Sequence, residues 1–162
     1  MKLLSLWVFA WLVHLACGAD YDWSGAISIT GTEPTARFDH TSVVYGDYMF
    51  VFGGKSDSSN LNDLHKLDFT SNTWSGAIST SGTEPTARES HTSVVYGDFM
   101  FVFGGYGQVS GSNTRLNDLH KLDLTSNTWS GAISTTGTEP TARGYHTSGV
   151  YGDYMFVFGG NG

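Results

Sequence analysis

The sequence predicts an all-β protein assembled from repeated sheets of four antiparallel strands. Three observations carry this. The nine residues GDYMFVFGG at 46–54 return as GDFMFVFGG at 97–105 and as GDYMFVFGG at 152–160. Each copy lies in a longer unit that opens W-S-G-A-I-S at Trp23, Trp74 and Trp129, giving spacings of 51 and 55 residues. The composition agrees: 21 glycines, and aromatic residues as frequent as charged ones at 14%, suit short strands and tight turns. No helical amphipathic stretch stands out after the first twenty residues.

The N-terminal segment differs in kind. MKLLSLWVFAWLVHLACGA has a basic Lys2, an apolar run from Leu3 to Val13 broken only by Ser5, then the small residues Ala16, Cys17, Gly18 and Ala19. That is the layout of a secretory signal peptide. Residues 1–19 are expected to be cleaved, leaving residues 20–162 as a mature chain in the secretory lumen or outside the cell. The alternative is a retained membrane anchor, although the stretch from Leu3 to Ala19, interrupted by His14, is at the lower limit for crossing a bilayer. Loss of Lys2 takes the net charge from −7 to −8. An acidic surface disfavours nucleic acid and anionic membranes as partners. Cys17 is the only cysteine, so the mature chain is expected to hold together by packing alone, without disulfides.

Within a unit, HTSVVY (40–45) and YMFVFGG (48–54) read as two strands joined by Gly46-Asp47, because two-residue hairpin turns need positive φ. In the second strand Tyr48, Phe50 and Phe52 alternate with Met49 and Val51, so both faces are apolar, as in a strand buried between sheets. Gly53-Gly54 then permits a sharp turn or a close backbone approach. LNDLHKLD (61–68) is a third, more polar strand, and TWSGAIS (73–79) a fourth. TGTEPTAR leads across to the next unit, its Gly and Pro marking a connection. The second unit is longer because KSDSSN (55–60) becomes YGQVSGSNTR (106–115); an insertion between unchanged flanks marks a surface loop.

Four antiparallel strands in each period describe the blades of a β-propeller. The order Arg37-x-x-His40, apolar strand, Gly53-Gly54, Asn62-Asp63, Leu67-Asp68, Asn72-Thr73-Trp74, then Gly82-x-x-Pro85-x-x-Arg88 resembles the kelch repeat. The second unit matches at Arg88, His91, Gly104, Gly105, Asn117, Asp118, Asp123 and Trp129, the third at Arg143, His146, Gly159 and Gly160. The resemblance covers residues 23–162 and implies a kelch-type β-propeller with under three blades present: a lone Trp strand, two full blades, and the first two strands of a third. A closed propeller needs about four to eight blades. The chain is therefore expected to be a fragment of a larger propeller, or else to self-associate, and its unclosed arc should leave apolar strand faces bare.

The polar residues that recur once per unit read as framework. Equivalent histidines of successive blades are spread around a ring, whereas zinc needs three or four converging ligands. His40, His91 and His146 are each expected to hydrogen-bond their own blade, and Arg37, Arg88 and Arg143 to serve the scaffold. No metal or cofactor is expected, and no nucleophile, phosphate loop or carboxylate pair forms a catalytic constellation. The resemblance allows one enzymatic alternative, an extracellular carbohydrate-active enzyme of the galactose-oxidase type. Such an enzyme holds copper with tyrosines and histidines, one tyrosine being cross-linked to a cysteine. No cysteine remains after leader cleavage, so its catalytic residues would have to lie outside this sequence.

Positions where near-identical copies differ are those the shared blade does not dictate. Between Arg and His stand Phe38-Asp39, Glu89-Ser90 and Gly144-Tyr145, and after Gly-Gly comes the variable loop with Tyr106, Gln108 and Arg115. In kelch propellers both connections project from one face, around the mouth of the central channel, and that face commonly binds proteins. Phe38, Tyr106 and Tyr145 are the expected aromatic anchors, and Asp39, Glu89 and Arg115 set charge complementarity, with Ser90 and Gln108 beside them. The plainer reading is drift between duplicates at exposed sites. The favoured function is a secreted or lumenal, non-catalytic protein-interaction module, with a glycan as a possible second ligand. A cytoplasmic kelch adaptor, such as an actin or ubiquitin-ligase partner, is a further alternative, against which the apolar N-terminus argues.

Overall fold

The computed structural model describes the strand Val13–Leu15 and residues 23–162. Strand β1 (Val13–Leu15) lies antiparallel to β2 (Trp23–Ala26), with Leu15 opposite Trp23. The rest of the expected leader, residues 1–12 and 16–19, lies outside the described residues.

The first blade comprises β3 (Thr30–Thr32), β4 (Thr41–Tyr45), β5 (Tyr48–Lys55), β6 (Asn60–Asp68) and β7 (Thr73–Ala77), in sheet order β3-β7-β6-β5-β4. The second comprises β8 (Ser81–Thr83), β9 (Arg88–Glu89), β10 (Thr92–Tyr96), β11 (Phe99–Val109), β12 (Ser112–Asp123) and β13 (Thr128–Ala132), in order β10-β11-β12-β13-β8, with β9 paired to β11. A hairpin of β14 (Gly144–Tyr151) and β15 (Tyr154–Asn161) follows. Among the described residues the chain thus forms two blades, each with four antiparallel strands and a parallel strand added at its outer edge, and the inner hairpin of another, an incomplete propeller.

Local chemistry sets the turns. Gly46, Gly97 and Gly152 enter their hairpin turns at φ 57–58°, closing Tyr45 onto Tyr48 and its equivalents. At the outer turn the Asp68 carboxylate accepts the backbone N–H of Thr70 at 2.8 Å, and Asn72 takes the left-handed conformation at φ 52°. Asp123 and Asn127 repeat the arrangement. The polarity of the third strand also has a structural reason: its Asp and His belong to a buried ion cluster described below.

Two apolar clusters show why the inner strand is apolar on both faces. Phe50 and Phe52 of β5 pack with Met100 and Val102 of β11 and with Leu122, Leu124 and Trp129, joining the first two blades. Val51 faces the other way, with Leu67 and Trp74. In β15 only one face is covered: Met155 and Val157 are half-buried, while Tyr154, Phe156 and Phe158 are 56–81% exposed. The bare face expected of an open arc is therefore present on the third hairpin.

The link between units differs from its sequence reading. Its first residues are not mere connection: β3 and β8 run parallel to the Trp strands β7 and β13 as a fifth strand, with Gly31 opposite Trp74 and Gly82 opposite Trp129. The glycines are obligatory there. Both have positive φ, and a Cβ on either would collide with the carbonyl oxygen of the tryptophan beside it. Gly137, in the third copy, has a similar φ of 88° and nothing within 4 Å. Gly82→Ala should thus lower the unfolding free energy by about 1–3 kcal/mol more than Gly137→Ala, which carries backbone strain alone; urea midpoints of the two variants decide it, and equal losses would contradict the clasp.

Candidate interaction face and the framework beneath it

The repeated Arg, Asp and His side chains form one cluster per blade. Arg88, fully buried, grips both oxygens of Asp118 at 2.8 Å and donates to the Gly104 carbonyl at 2.9 Å. His120 Nε2 lies 2.8 Å from the same carboxylate. Arg37, Asp63, Gly53 and His65 repeat the set in the first blade. Burial pushes the Asp118 carboxyl up, but the hydrogen bonds from Arg88 and His120 outweigh it and hold the group well below the usual carboxylate range. Arg143 keeps the Gly159 carbonyl contact at 2.8 Å in the third unit.

The histidines before the first strand do something other than expected. His91 reaches back to the preceding blade, its Nε2 2.9 Å from Thr41 Oγ1 and its ring edge-on to Phe52 at 5.4 Å. His146 does the same to Thr92 and Phe103, at 2.8 Å and 5.4 Å. They are ties between blades, not within one. The glycine pairs make room for this. A Cβ on Gly53 would sit 3.0 Å from both the Arg88 carbonyl and the His91 ring, and one on Gly54 would press on His40 at 2.7 Å. Burial and the neighbouring Arg88 push the His91 imidazole down to about 3, so it is neutral in the fold. Among the described residues no cluster of three or more His, Cys, Asp or Glu side chains is placed to hold a metal ion.

The variable pairs divide into two groups. Asp39, Ser90 and Tyr145 share a positive φ of 53–58°, and their backbones are linked from blade to blade: Ser90 N–H donates to the Asp39 carbonyl at 2.9 Å, and Tyr145 N–H to that of Ser90 at 3.0 Å. Ser90 Oγ also donates to the Asp39 carboxylate at 3.0 Å. Glu89 and Ser90 are only 6% and 7% exposed. The sequence placed them on the surface; the adjoining blade covers them, and Glu89 is occupied by the Lys55 ammonium at 3.3 Å. These two support the face from beneath.

Phe38 and Tyr145, 51% and 58% exposed, do lie on the surface. A string of contacts joins them. Phe38 and Lys55 exchange backbone hydrogen bonds at 2.8 and 3.0 Å, Lys55 meets Glu89, and Glu89 lies opposite Tyr106 in the β9–β11 pair. The Tyr106 ring then meets Tyr145 at 5.7 Å, and Arg115 stacks over it at 5.6 Å while donating from Nε to its hydroxyl at 3.2 Å. Asn60 Nδ2 donates to the Tyr106 carbonyl at 3.2 Å, tying the first blade in. Gln108 is exposed further out on the same ribbon. Lys55 and Asn60 fall in the variable loop 55–60 but were not singled out within it, although Lys55 holds the position after Gly-Gly that Tyr106 holds in the next copy. At the opposite end of the blades Tyr45 donates to Asp98 at 2.6 Å, and Tyr96 to Asp153.

Inner strands ending in paired glycines, one Arg–Asp–His cluster per blade and a Trp-bearing outer strand together define a propeller of the kelch type. The chain belongs to the kelch-repeat family: residues 7–161 match the family described as the KLHDC2/KLHL20/DRC7 Kelch-repeats domain. It is 37% identical to Kelch domain-containing protein 3 of Rattus norvegicus over 128 residues, covering 78% of this chain and 32% of that protein. It is 37% identical to Host cell factor 2 of Homo sapiens over 150 residues, covering 81% of this chain and 18% of that protein. Kelch domain-containing protein 1 of Mus musculus is 33% identical over 163 residues, with 86% and 39% covered. The chain thus spans about a third or less of the first two relatives' length.

Two predictions follow from the framework. Because the folded His91 pKa lies below its unfolded value, the unfolded chain binds the proton first. The stability it contributes is complete above about pH 6.5 and is lost as pH falls toward 3, at about 1.4 kcal/mol per pH unit for the one group. Urea titrations from pH 7 to 5 should show this slope and its reduction in His91→Gln; an unchanged slope would assign the pH dependence elsewhere. Asp118→Asn strips a fully buried guanidinium of its counter-charge, and the expected loss is about 3–5 kcal/mol in chemical denaturation.

Proposed function

We infer that this chain serves as a non-catalytic protein-interaction module, and that its binding surface is the end of the blades carrying Phe38, Lys55, Tyr106, Arg115 and Tyr145. The observation that supports this most is that Phe38 and Tyr145, both exposed, lie at one end of the blades and are joined there through Lys55, Glu89 and Tyr106. Aromatic anchors with a nearby arginine are what protein interfaces concentrate, and rings of this size contribute contact area at low entropic cost. Membership of the kelch-repeat family, with relatives that include Kelch domain-containing protein 3, supports the same reading. Residues 1–19 favour the secretory route as the place where it acts; Edman sequencing of chain recovered from that route should begin near Asp20.

The test is a paired comparison on the full chain. Phe38→Ala with Tyr145→Ala should weaken binding of its protein partners by about tenfold or more, roughly the cost of losing hot-spot side chains. The denaturation midpoint should stay unchanged. Lys66→Ala with Lys121→Ala, which removes ammonium groups from over the Tyr48 and Phe99 rings nearer the other end of the blades, should leave binding intact. The reverse pattern would move the site.

A further inference from the structure

Resting on that reading of the face, we propose that the β11–β12 ribbon captures an extended acidic segment of a partner protein by strand addition along Ser112–Arg115. Arg115 takes an internal Asp or Glu side chain, and Tyr106 and Tyr145 take the apolar residue beside it. The first support is the state of the cations. Among the described residues, Arg37, Lys55 and Arg88 are held by Asp63, Glu89 and Asp118. Lys66 and Lys121 lie over the Tyr48 and Phe99 rings, and Arg143 donates to Gly159 and Thr141. Arg115 is exposed and donates only to the Tyr106 hydroxyl. With Cζ 5.6 Å from the Tyr106 ring centre and Nε bonded to its hydroxyl, the guanidinium is held at the aromatic pair while its remaining N–H groups have no partner among the described residues, as a carboxylate requires.

The second support is the backbone. β12 pairs with β13 only between His120 and Asp123, and no described strand lies on the outer side of Ser112–Arg115. The turn at Ser110-Gly111 has two residues and closes on the Val109–Ser112 pair. Alternation along an antiparallel ladder then leaves the amides of Asn113 and Arg115 facing outward. The open edge ends where β12 takes up β13, with Ile133 N–H donating to the Leu119 carbonyl at 2.7 Å and His120 lying opposite Ala132. Beside it lies a groove of about 590 Å³ between Tyr106 and Asn113–Arg115 on one side and Thr141, Ala142 and Gly162 on the other. An unpaired edge with a groove alongside is how sheets accept an extended peptide, and side-chain pockets then supply the selection.

Charge restricts the occupant. The chain carries 15 acidic against 8 basic residues, so a polyanion such as nucleic acid is repelled, while a single carboxylate at a single free arginine is matched. The scaffold does not need this ribbon, for the first blade closes the same place with a short loop held by a Ser56 N–H donating to the Ser59 carbonyl at 3.0 Å.

The full chain is immobilised and offered random nonapeptides displayed between two folded flanking domains, so that only internal side chains and backbone are available. The selected pool should be enriched in Asp or Glu next to a large apolar residue. Arg115→Glu and, separately, Asn113→Pro should each weaken the selected peptides by about tenfold, with unchanged denaturation midpoints. Selected peptides that lack acidic residues, or that ignore both variants while remaining sensitive to Phe38→Ala with Tyr145→Ala, would overturn this inference and leave the face standing. Peptides indifferent to every variant, or no selection at all, would overturn both.

Discussion

Neighbouring blades in this protein meet backbone to backbone at the paired glycines that end each inner strand. Gly53 and Gly104 leave the space in which the next blade's Arg carbonyl and His ring come to rest. Much of the remaining order follows from that approach. The guanidinium seated under the glycine carbonyl is fixed by its Asp, the imidazole reaches the preceding blade's threonine, and the backbones of residues 39, 90 and 145 fall into hydrogen-bonding distance. A side chain at the glycine would separate the layers by several tenths of an ångström and weaken all of these at once.

This arrangement divides labour between the two ends of the blades and the layers between them. Apolar contact holds the layers: β5 gives Phe50 and Phe52, and β11 gives Met100 and Val102, to the seam between the first two blades, while Val51 on the other face of β5 packs with Leu67 and Trp74. The ends carry polar and aromatic chemistry instead. At one end tyrosine hydroxyls bridge to turn aspartates; at the other, a lysine, an arginine and three aromatic rings form a surface that the scaffold uses only lightly. Interaction surfaces of this kind can change without disturbing the core, because their side chains are held by backbone that other residues fix.

Much of the fold was legible in the sequence, for reasons that can be traced to particular residues. Alternation of Phe50 and Phe52 with Val51 announced a strand covered on both faces, and Gly46-Asp47 announced its hairpin. The parallel fifth strands were not legible, since Thr-Gly-Thr and Ser-Gly-Thr carry no apolar signature and their pairing rests on a tryptophan more than forty residues away. The direction of His91 was hidden in the same way, its partner Thr41 lying in another blade. Variation among copies pointed to residues 38, 106, 115 and 145, of which Phe38, Arg115 and Tyr145 lie exposed and Tyr106 half-buried. It misplaced Glu89 and Ser90, because variability reports only that the blade tolerates a change, while burial is decided by the blade next door.

The clasping of a connector onto the following blade, as at β3 and β8, puts the genetic repeat and the folded unit out of phase. A duplication whose ends fall anywhere within one period therefore inserts a complete layer, bringing its own glycine seat, its own tie to the layer before and its own clasp from the link. New layers meet old ones through identical residues, so growth by copying requires no compensating change elsewhere. Divergence can then concentrate where the copies constrain one another least, at the hairpin tips and at the residue pairs between Arg and His. One copying event thus supplies both a strut and a fresh binding element.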